Sequence, residues 1–146
     1  MGTVYLTSGP RGSGKSTYIR EVMSYYPEAV KISRDEILIE LFGETNLSPY
    51  EGGHGAALET LFQRVSECFT RDKEATIVLD LWNGYSSERR LIIRTLKKFG
   101  AERIFCWCFI VPVETCVNWF MSKPDSKGYS CSGVRNDYRL YYKEAA

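Results

Sequence analysis

The chain has 146 residues, of which 44% are hydrophobic and 25% are charged, a composition typical of globular domains and not of disordered or fibrous chains. No apolar run approaches the 18 to 20 residues, roughly, that span a bilayer. Residues 1–8 lack the basic start of a signal peptide. We therefore expect one domain over residues 1–146, located in the cytoplasm and without a membrane partner.

The net charge of +1 hides an uneven distribution of charged side chains. Residues 1–88 carry 13 acidic and 8 basic side chains, whereas residues 89–146 carry 5 acidic and 11 basic ones. A polyanion would accordingly bind the C-terminal part, although solvated helix faces explain the charges equally well.

The five cysteines are odd in number and lack the paired spacing of zinc sites, which predicts reduced thiols, mostly in the core, and no structural metal.

Hydrophobic runs typical of strands alternate with helical periodicities. In chain order, the patterns predict strand 3–7, helix 15–26, strand 30–32, helix 36–42, helix 55–69, strand 75–81, a helix ending at 99, strand 103–111, helix 113–121 and helix 134–144. Ser33 or Asp35 is expected to cap helix 36–42, and Ser86 or Ser87 the helix ending at 99. Residues 122–133 predict a mobile loop that closes over a substrate.

This alternation predicts a three-layer α/β fold with right-handed crossovers and a mainly parallel sheet of four to five strands. The strands predicted at 75–81 and 103–111 are almost continuously apolar. Such runs are typical of parallel strands that are covered on both faces.

Residues 9–16 match the pattern G-x-x-x-x-G-K-[ST] at every fixed position, between a predicted strand and a predicted helix. Backbone N–H groups of such a loop point at phosphate oxygens, and the helix N-terminus adds positive charge. Lys15 is expected to reach the β- and γ-phosphates of ATP or another nucleoside triphosphate, and Ser16 to coordinate Mg²⁺. The predicted nucleotide-binding residues are Gly9, Gly12, Ser13, Gly14, Lys15, Ser16 and Thr17, whereas Arg11 is expected at the surface.

Two carboxylates follow predicted strands at the edge of a parallel sheet where ligands bind. Asp35 follows strand 30–32 and is placed to accept the proton of an attacking hydroxyl group; the alternative is a helix N-cap. Asp80 lies at the end of strand 75–81 and is a candidate for a Mg²⁺ site or a phosphate network; the alternative is a residue of the turn with Asn83 and Gly84.

With these motifs, the chain resembles the kinase domain of phage-type polynucleotide 5′-kinases over nearly its whole length. The residues that carry the resemblance are the loop at 9–16, Ile32-Ser33-Arg34-Asp35-Glu36, the strand ending at Asp80, Ser87-Glu88-Arg89-Arg90 and Pro112-Val113-Glu114. Zeta-toxin-like and small-molecule P-loop kinases share the shorter motifs. The resemblance implies that Asp35 is the general base toward the 5′-hydroxyl group of a nucleic acid.

The chain departs from that family at two places. Leu38 stands where the family has an arginine that contacts the acceptor strand. In the lid, Trp119-Phe120-Met121-Ser122-Lys123 replaces a segment with two arginines that lie against the transferring phosphates. Only the cation of Lys123 remains there, and lysine lacks the bidentate guanidinium fork. Arg135 or Arg139 is then expected to substitute for an arginine, or transfer is slow.

Other residues have a functional and a structural interpretation. The functional one places Arg34, Arg89 and Arg139 on the substrate, with Arg89 and Arg90 holding the nucleotide or acceptor; the structural one leaves Arg89 and Arg90 on a solvated helix face. His54 is more typical of a cap or surface residue than of a catalyst. The aromatic side chains that could stack on a base are Tyr50, Trp82 and Trp119, with core packing favoured for Trp119.

The sequence therefore predicts a Mg²⁺-dependent kinase that transfers the γ-phosphoryl group of a nucleoside triphosphate to a hydroxyl group. A nucleic acid 5′ end is the favoured acceptor. A small molecule or nucleotide sugar is the first alternative acceptor, and a nucleotide-binding module with little turnover is the second alternative.

Overall fold

A computed structural model of the chain describes residues 1–10, 12–45, 53–123 and 130–145. Four parallel strands form one sheet in the order β2-β3-β1-β4. They are β1 (Thr3–Ser8), β2 (Val30–Ser33), β3 (Thr76–Asp80) and β4 (Arg103–Cys108). The predicted α/β class and the parallel sheet are confirmed, with four strands.

Six helices connect or follow the strands in the described part of the chain. They are α1 (Lys15–Tyr25), α2 (Arg34–Phe42), α3 (Gly53–Arg71), α4 (Ser86–Lys98), α5 (Val113–Met121) and α6 (Cys131–Ala145). Ser33 caps α2, because its hydroxyl oxygen accepts a hydrogen bond from the Glu36 N–H at 3.4 Å. Gly43 ends α2 at a φ of 82°, a left-handed conformation that glycine adopts without steric cost.

The larger core lies on one face of the sheet. Alternate side chains of the strands, such as Val4 and Leu6 of β1, pack there with α2, α3 and α4. Leu38 belongs to this core and has an exposed fraction of 0%. A smaller cluster joins Ile19 of α1 to Val78 of β3, and a third joins α5 to α6.

Strand β4 corrects two predictions about the apolar run at 103–111. The strand ends at Cys108, and four of its six side chains are exposed, while Ile104 and Trp107 are half-buried. The reason is its position, since β4 is the last strand of the sheet and only an interior strand is covered on both faces. Periodicity alone does not distinguish an edge strand from an interior one when both are apolar.

The cysteines also differ from the prediction of mostly core thiols. Cys68 and Cys116 are buried, whereas Cys106, Cys108 and Cys131 are exposed. The first two exposed cysteines lie on β4, so the same edge position explains them.

Several helix starts differ from the predicted ones, since α2 begins at Arg34 instead of 36 and α3 at Gly53 instead of 55. Tyr85 is the N-cap of α4 and makes no side-chain capping bond, so neither Ser86 nor Ser87 is the cap. Helix α6 begins at Cys131 instead of 134, so residues 131–133 of the predicted lid are helical.

Some predictions concern parts of the chain that lie outside the described residues. They are those on lid residues 124–129, on Arg11, on Tyr50 and on the side chain of His54. Within the described ranges, none of the helices combines the length and apolar character that a membrane crossing requires.

Candidate active site

The phosphate-binding loop lies between the end of β1 and the start of α1. Gly12 and Gly14 have φ angles of 76° and 90°, which L-residues with a side chain rarely adopt. Gly12 also packs against α5, because a Cβ atom there would lie 1.9 Å from the carbonyl oxygen of Cys116. The loop backbone is therefore fixed both by its own conformation and by a neighbouring helix.

Two polar side chains of this loop fit a phosphate group. The Lys15 Nζ donates a hydrogen bond to the Gly9 carbonyl oxygen at 2.5 Å, so the amine lies directly over the loop. The Ser13 hydroxyl is buried and lacks a hydrogen-bond partner among the described residues. A buried polar atom without a partner is costly, and a phosphate oxygen at this loop would satisfy it. Lys15 and Ser16 are the residues that would hold a triphosphate and its Mg²⁺ ion.

The acceptor side is built by the C-terminal ends of β2 and β3. Asp35 is exposed in the first turn of α2, and Ser33, its neighbour in the chain, pairs with Asp80 in the sheet register. The alternative of Asp35 as N-cap is wrong because Ser33 is the cap. Next to Asp35, the Nε of Arg34 is buried and has no hydrogen-bond partner in the described part of the chain.

Asp80 lies between the two sides of the site. Its Oδ1 accepts a hydrogen bond from the Thr7 hydroxyl at 3.4 Å. Burial raises the pKa of the Asp80 carboxyl, and the nearby charge of Asp35 raises it further, while Lys15, Lys31 and the Thr7 hydrogen bond lower it. The carboxylate is therefore held in a poorly solvated position, where a cation would stabilise its charged form.

One cleft of about 130 Å³ brings both sides together. Its lining includes predicted site residues from the loop, the acceptor side and the lid, namely Gly12, Ser13, Gly14, Lys15, Ser16, Arg34, Asp35, Asp80 and Lys123. Gly9 and Thr17 do not line it, although Gly9 accepts the Lys15 hydrogen bond. Nine of the predicted site residues thus line one cleft, among them Lys123, the cation predicted for the lid.

Two of the predicted substrate-binding arginines lie elsewhere. Arg89 donates hydrogen bonds to the carbonyl oxygens of Asn83 and Gly84, at 2.6 and 3.2 Å, which shows it bracing the loop after β3. Arg139 is exposed on α6 and does not line the cleft. Arg135 of α6 donates two hydrogen bonds of 2.6 and 3.0 Å to the carboxylate of Glu114. Its guanidinium is therefore held against α5.

Residues of the loop after β3 and of α6 support the site; of these, sequence patterns singled out Trp82 and Asn83 but neither Tyr141 nor Asp137. The Tyr141 hydroxyl accepts a hydrogen bond from the Asn83 N–H at 2.8 Å. The Tyr141 ring lies 5.4 Å from the Lys15 Nζ. Trp82 donates a hydrogen bond from Nε1 to the buried Asp137 carboxylate. Helix α6 thereby reaches the back of the phosphate-binding loop.

Trp119 corrects the prediction of a core residue. Its exposed fraction is 49%, and its ring lies 3.4 Å from the position that a Cβ atom on Gly14 would occupy. The indole therefore stands at the start of α1, beside the phosphate-binding loop and open to solvent. Periodicity places Trp119 on helix α5, but it does not show that this part of α5 crosses the loop.

Comparisons with known proteins agree with this geometry. A family model described as an AAA domain matches residues 4–134, and no curated protein matches the chain significantly. A chain in the structure of the Pnkp1/Rnl/Hen1 RNA repair complex has a TM-score of 0.84 and 19% identity, and the match covers 99% of this chain and 45% of that chain. Shikimate kinase from Acinetobacter baumannii, in complex with shikimate, has a TM-score of 0.54 and 19% identity, covering 97% and 78%.

A second structure, of the Pnkp1/Rnl/Hen1 complex, has a TM-score of 0.70 and 20% identity, covering 88% of this chain and 43% of that chain. The chain thus spans less than half the length of the repair-complex chains that it matches. At these identities the likeness establishes the fold. The P-loop kinase fold expected from the sequence is confirmed.

Proposed function

We propose that this chain, which belongs to the AAA domain family, is a kinase that transfers the γ-phosphoryl group of ATP or another nucleoside triphosphate to a hydroxyl group. Its phosphate-binding loop faces a carboxylate across one cleft. The observation that carries the proposal is the shared cleft. Lys15 and Ser16 line one side, Arg34 and Asp35 line the other, and Lys123 approaches from the lid.

Each residue has a distinct task in this reaction. Backbone N–H groups of the loop and the Lys15 amine bind the β- and γ-phosphates. Mg²⁺, held by Ser16 and oriented by Asp80, would neutralise phosphate charge. Asp35 accepts the proton of the attacking hydroxyl as its oxygen forms the new bond to phosphorus.

Two cations are placed to stabilise the charge that develops during transfer. The guanidinium of Arg34 is next to Asp35, and its buried Nε is available for a phosphate or substrate oxygen. Lys123 lies on the lid side of the same cleft. As a point charge, it stabilises the transferring phosphoryl less well than a bidentate arginine, which predicts modest turnover.

The acceptor that we propose is the 5′-hydroxyl end of a nucleic acid. Its support is the fold shared with a chain of an RNA repair complex and the excess of basic side chains after residue 88. Asp35 is exposed, so the 5′ end of a strand can reach it without a conformational change of α2.

A small hydroxylated molecule is the second candidate acceptor, and the position of Leu38 favours it. Leu38 lies in the core with an exposed fraction of 0%, so this turn of α2 offers no cation to a strand. A binding module with little turnover is the remaining alternative, and its support is that Lys123 is the only cation in residues 119–123, where the family has two arginines.

An acceptor screen with γ-labelled ATP and Mg²⁺ tests these possibilities. The acceptors are a 5′-hydroxyl oligonucleotide, the same oligonucleotide bearing a 5′-phosphate, a nucleoside and shikimate. We expect label on the 5′-hydroxyl oligonucleotide alone, and none with the Lys15→Ala variant, which controls for contaminating kinases. Label on a small acceptor alone supports the second candidate. Tight nucleotide binding without any labelled product rejects the kinase.

A further inference from the structure

Two cysteines on β4 lie outside the cleft and have no part in the proposed transfer. Cys106 and Cys108 are both exposed, and as residues i and i+2 of a strand they project from the same face. Their Sγ atoms are 3.9 Å apart. They remain accessible because β4 is the last strand of the sheet.

The pair lies beside strand β1, close to the start of the phosphate-binding loop. Leu6 and Ser8 of β1 are the register partners of Cys106 and Cys108. Burial raises the pKa of the Cys106 thiol to about 11, and the neighbouring Cys108 adds to this effect. Arg89 and the Ser8 hydroxyl act in the opposite direction and lower the pKa. The two sulfur atoms are close enough to share a ligand.

The sulfur spacing matches the bite of a thiolate-bound metal ion. For metal–sulfur bonds of about 2.3 Å, sulfurs 3.9 Å apart enclose an angle at the metal of about 116°. This angle lies between the tetrahedral and the trigonal value, so one ion can bind both sulfurs at the distance observed. A disulfide would require a sulfur–sulfur distance of about 2 Å, much shorter than the one observed.

We propose that Cys106 and Cys108 form a bidentate site for a thiophilic metal ion such as Zn²⁺ or Cd²⁺. On binding a divalent ion, each thiol releases one proton to solvent and forms one sulfur–metal bond, with no change of oxidation state. Water completes the coordination, since the described residues contain no group of three or more His, Cys, Asp or Glu side chains arranged for a metal. Soft thiolate ligands select such ions over Mg²⁺, so the site is chemically separate from the nucleotide site.

Cadmium titration of the full chain, reduced and freed of metal, tests the site through the ultraviolet absorption of cadmium thiolates. We expect one Cd²⁺ per chain, displaced by Zn²⁺ but not by Mg²⁺. Cys106→Ser and Cys108→Ser should each weaken binding by at least about tenfold, since even the loss of an outer-shell partner costs that much. Cys131→Ser is the matched control, because Cys131 is also exposed, and it should leave the affinity unchanged.

Protection from alkylation provides a second measurement that needs no variant. Bound Cd²⁺ should protect Cys106 and Cys108 from a thiol reagent while Cys131 still reacts, as read by peptide mass spectrometry. The proposal is overturned if Cys131 is protected instead, if the serine variants bind Cd²⁺ as tightly as the unmodified chain, or if one ion binds per two chains.

Discussion

The two sides of the cleft are built in different ways. On the nucleotide side, backbone conformation holds the site, since Gly12 and Gly14 have positive φ angles and Gly12 packs against Cys116. On the acceptor side, side chains make the site, with Asp35 exposed and Arg34 half-buried. A site formed by the backbone binds the group that all its ligands share, here a phosphate. A site formed by side chains can differ between proteins, and these side chains then determine which acceptor binds. This difference explains why the sequence predicts the nucleotide more sharply than the acceptor.

The largest effect is expected from the one side chain on which the nucleotide side depends. Lys15→Ala should abolish phosphoryl transfer, because it removes the amine that lies over the loop and is expected to bind the γ-phosphate. The melting temperature should change little, since the hydrogen bond of the amine is to the Gly9 carbonyl oxygen of the loop. Initial rates with γ-labelled ATP measure this, and Lys97→Ala, an exposed lysine at the end of α4, is the control. Activity above about a tenth of the unmodified rate would contradict the role of Lys15.

Asp35→Asn tests the acceptor side in the same assay. The amide keeps the shape but cannot take a proton, so turnover should fall by roughly 10² to 10⁴ while nucleotide affinity is unchanged. Glu36→Gln is the matched control, because Glu36 lies in the same turn and pairs with Lys31 at 2.7 Å. Since Ser33 caps α2, Asp35→Asn should not lower the melting temperature. A lower melting temperature with normal specific activity would assign Asp35 a structural role.

The backbone of the nucleotide side is tested by Gly12→Ala. A left-handed conformation costs an L-residue about 1 to 2 kcal/mol, and the new Cβ would also meet the Cys116 carbonyl oxygen. Gly43→Ala has a similar φ of 82° but nothing within 4 Å of its Cβ, so it separates the conformational cost from the clash. Urea unfolding should show a larger loss for Gly12→Ala, and only that variant should bind nucleotide poorly. Equal losses in both variants would show that α5 yields at no cost.

Sequence reasoning located the residues whose neighbours are close along the chain. The loop at 9–16, the cap and end of α2, and the alternation of strands and helices all depend on patterns within a few residues, and the fold built from them is confirmed. The contacts that the sequence missed are long-range. Trp82 and Asp137 are 55 residues apart, and no local pattern marks either of them as a partner.

The exposure of β4 was missed for a related reason. The apolar run at 103–111 predicts a strand, but its position in the sheet depends on pairing with β1, about 100 residues earlier. Trp119 is a similar case, because its exposure depends on where α5 crosses the phosphate-binding loop. Local patterns determine which residues are strand or helix, whereas packing between distant segments determines which of their faces are covered.

Asp80 joins the two sides, and its raised pKa gives a pH prediction. A carboxyl whose pKa is raised by folding contributes stability that is fully present below its unfolded pKa and lost as pH rises through its folded pKa. The charged form is thus unfavourable in the folded chain without a cation. Asp80→Asn should therefore raise the melting temperature at neutral pH, by about 2 to 4 °C for each kcal/mol, and the gain should vanish in acid. Thermal scans at neutral pH and in acid down to about pH 3, below the ordinary pKa of an Asp carboxyl, measure it. A gain that is independent of pH would assign the effect to packing.

The smallest effect concerns the acceptor itself and distinguishes a strand from a small molecule. If basic side chains after residue 88 contact a strand, its binding releases counterions, so the apparent affinity for a 5′-hydroxyl oligonucleotide should fall steeply with salt. Lys123 in the cleft and Arg139 on α6 are the cations to remove, and each alanine variant should flatten the dependence by about one unit per lost phosphate contact.

Initial rates at sub-saturating oligonucleotide across a salt series give this slope, with a nucleoside as the neutral acceptor. Lys97→Ala supplies the control for a general loss of charge. Comparing the salt slopes of Lys123→Ala and Arg139→Ala would locate the strand, because of these two residues only Lys123 lines the cleft. A flatter slope for Lys123→Ala alone would mean that only the 5′ end of the strand contacts the protein. Flatter slopes for both variants would mean that the strand continues over α6. Transfer to the nucleoside at equal efficiency at all salt concentrations, with none to the oligonucleotide, would assign the acceptor side to a small molecule.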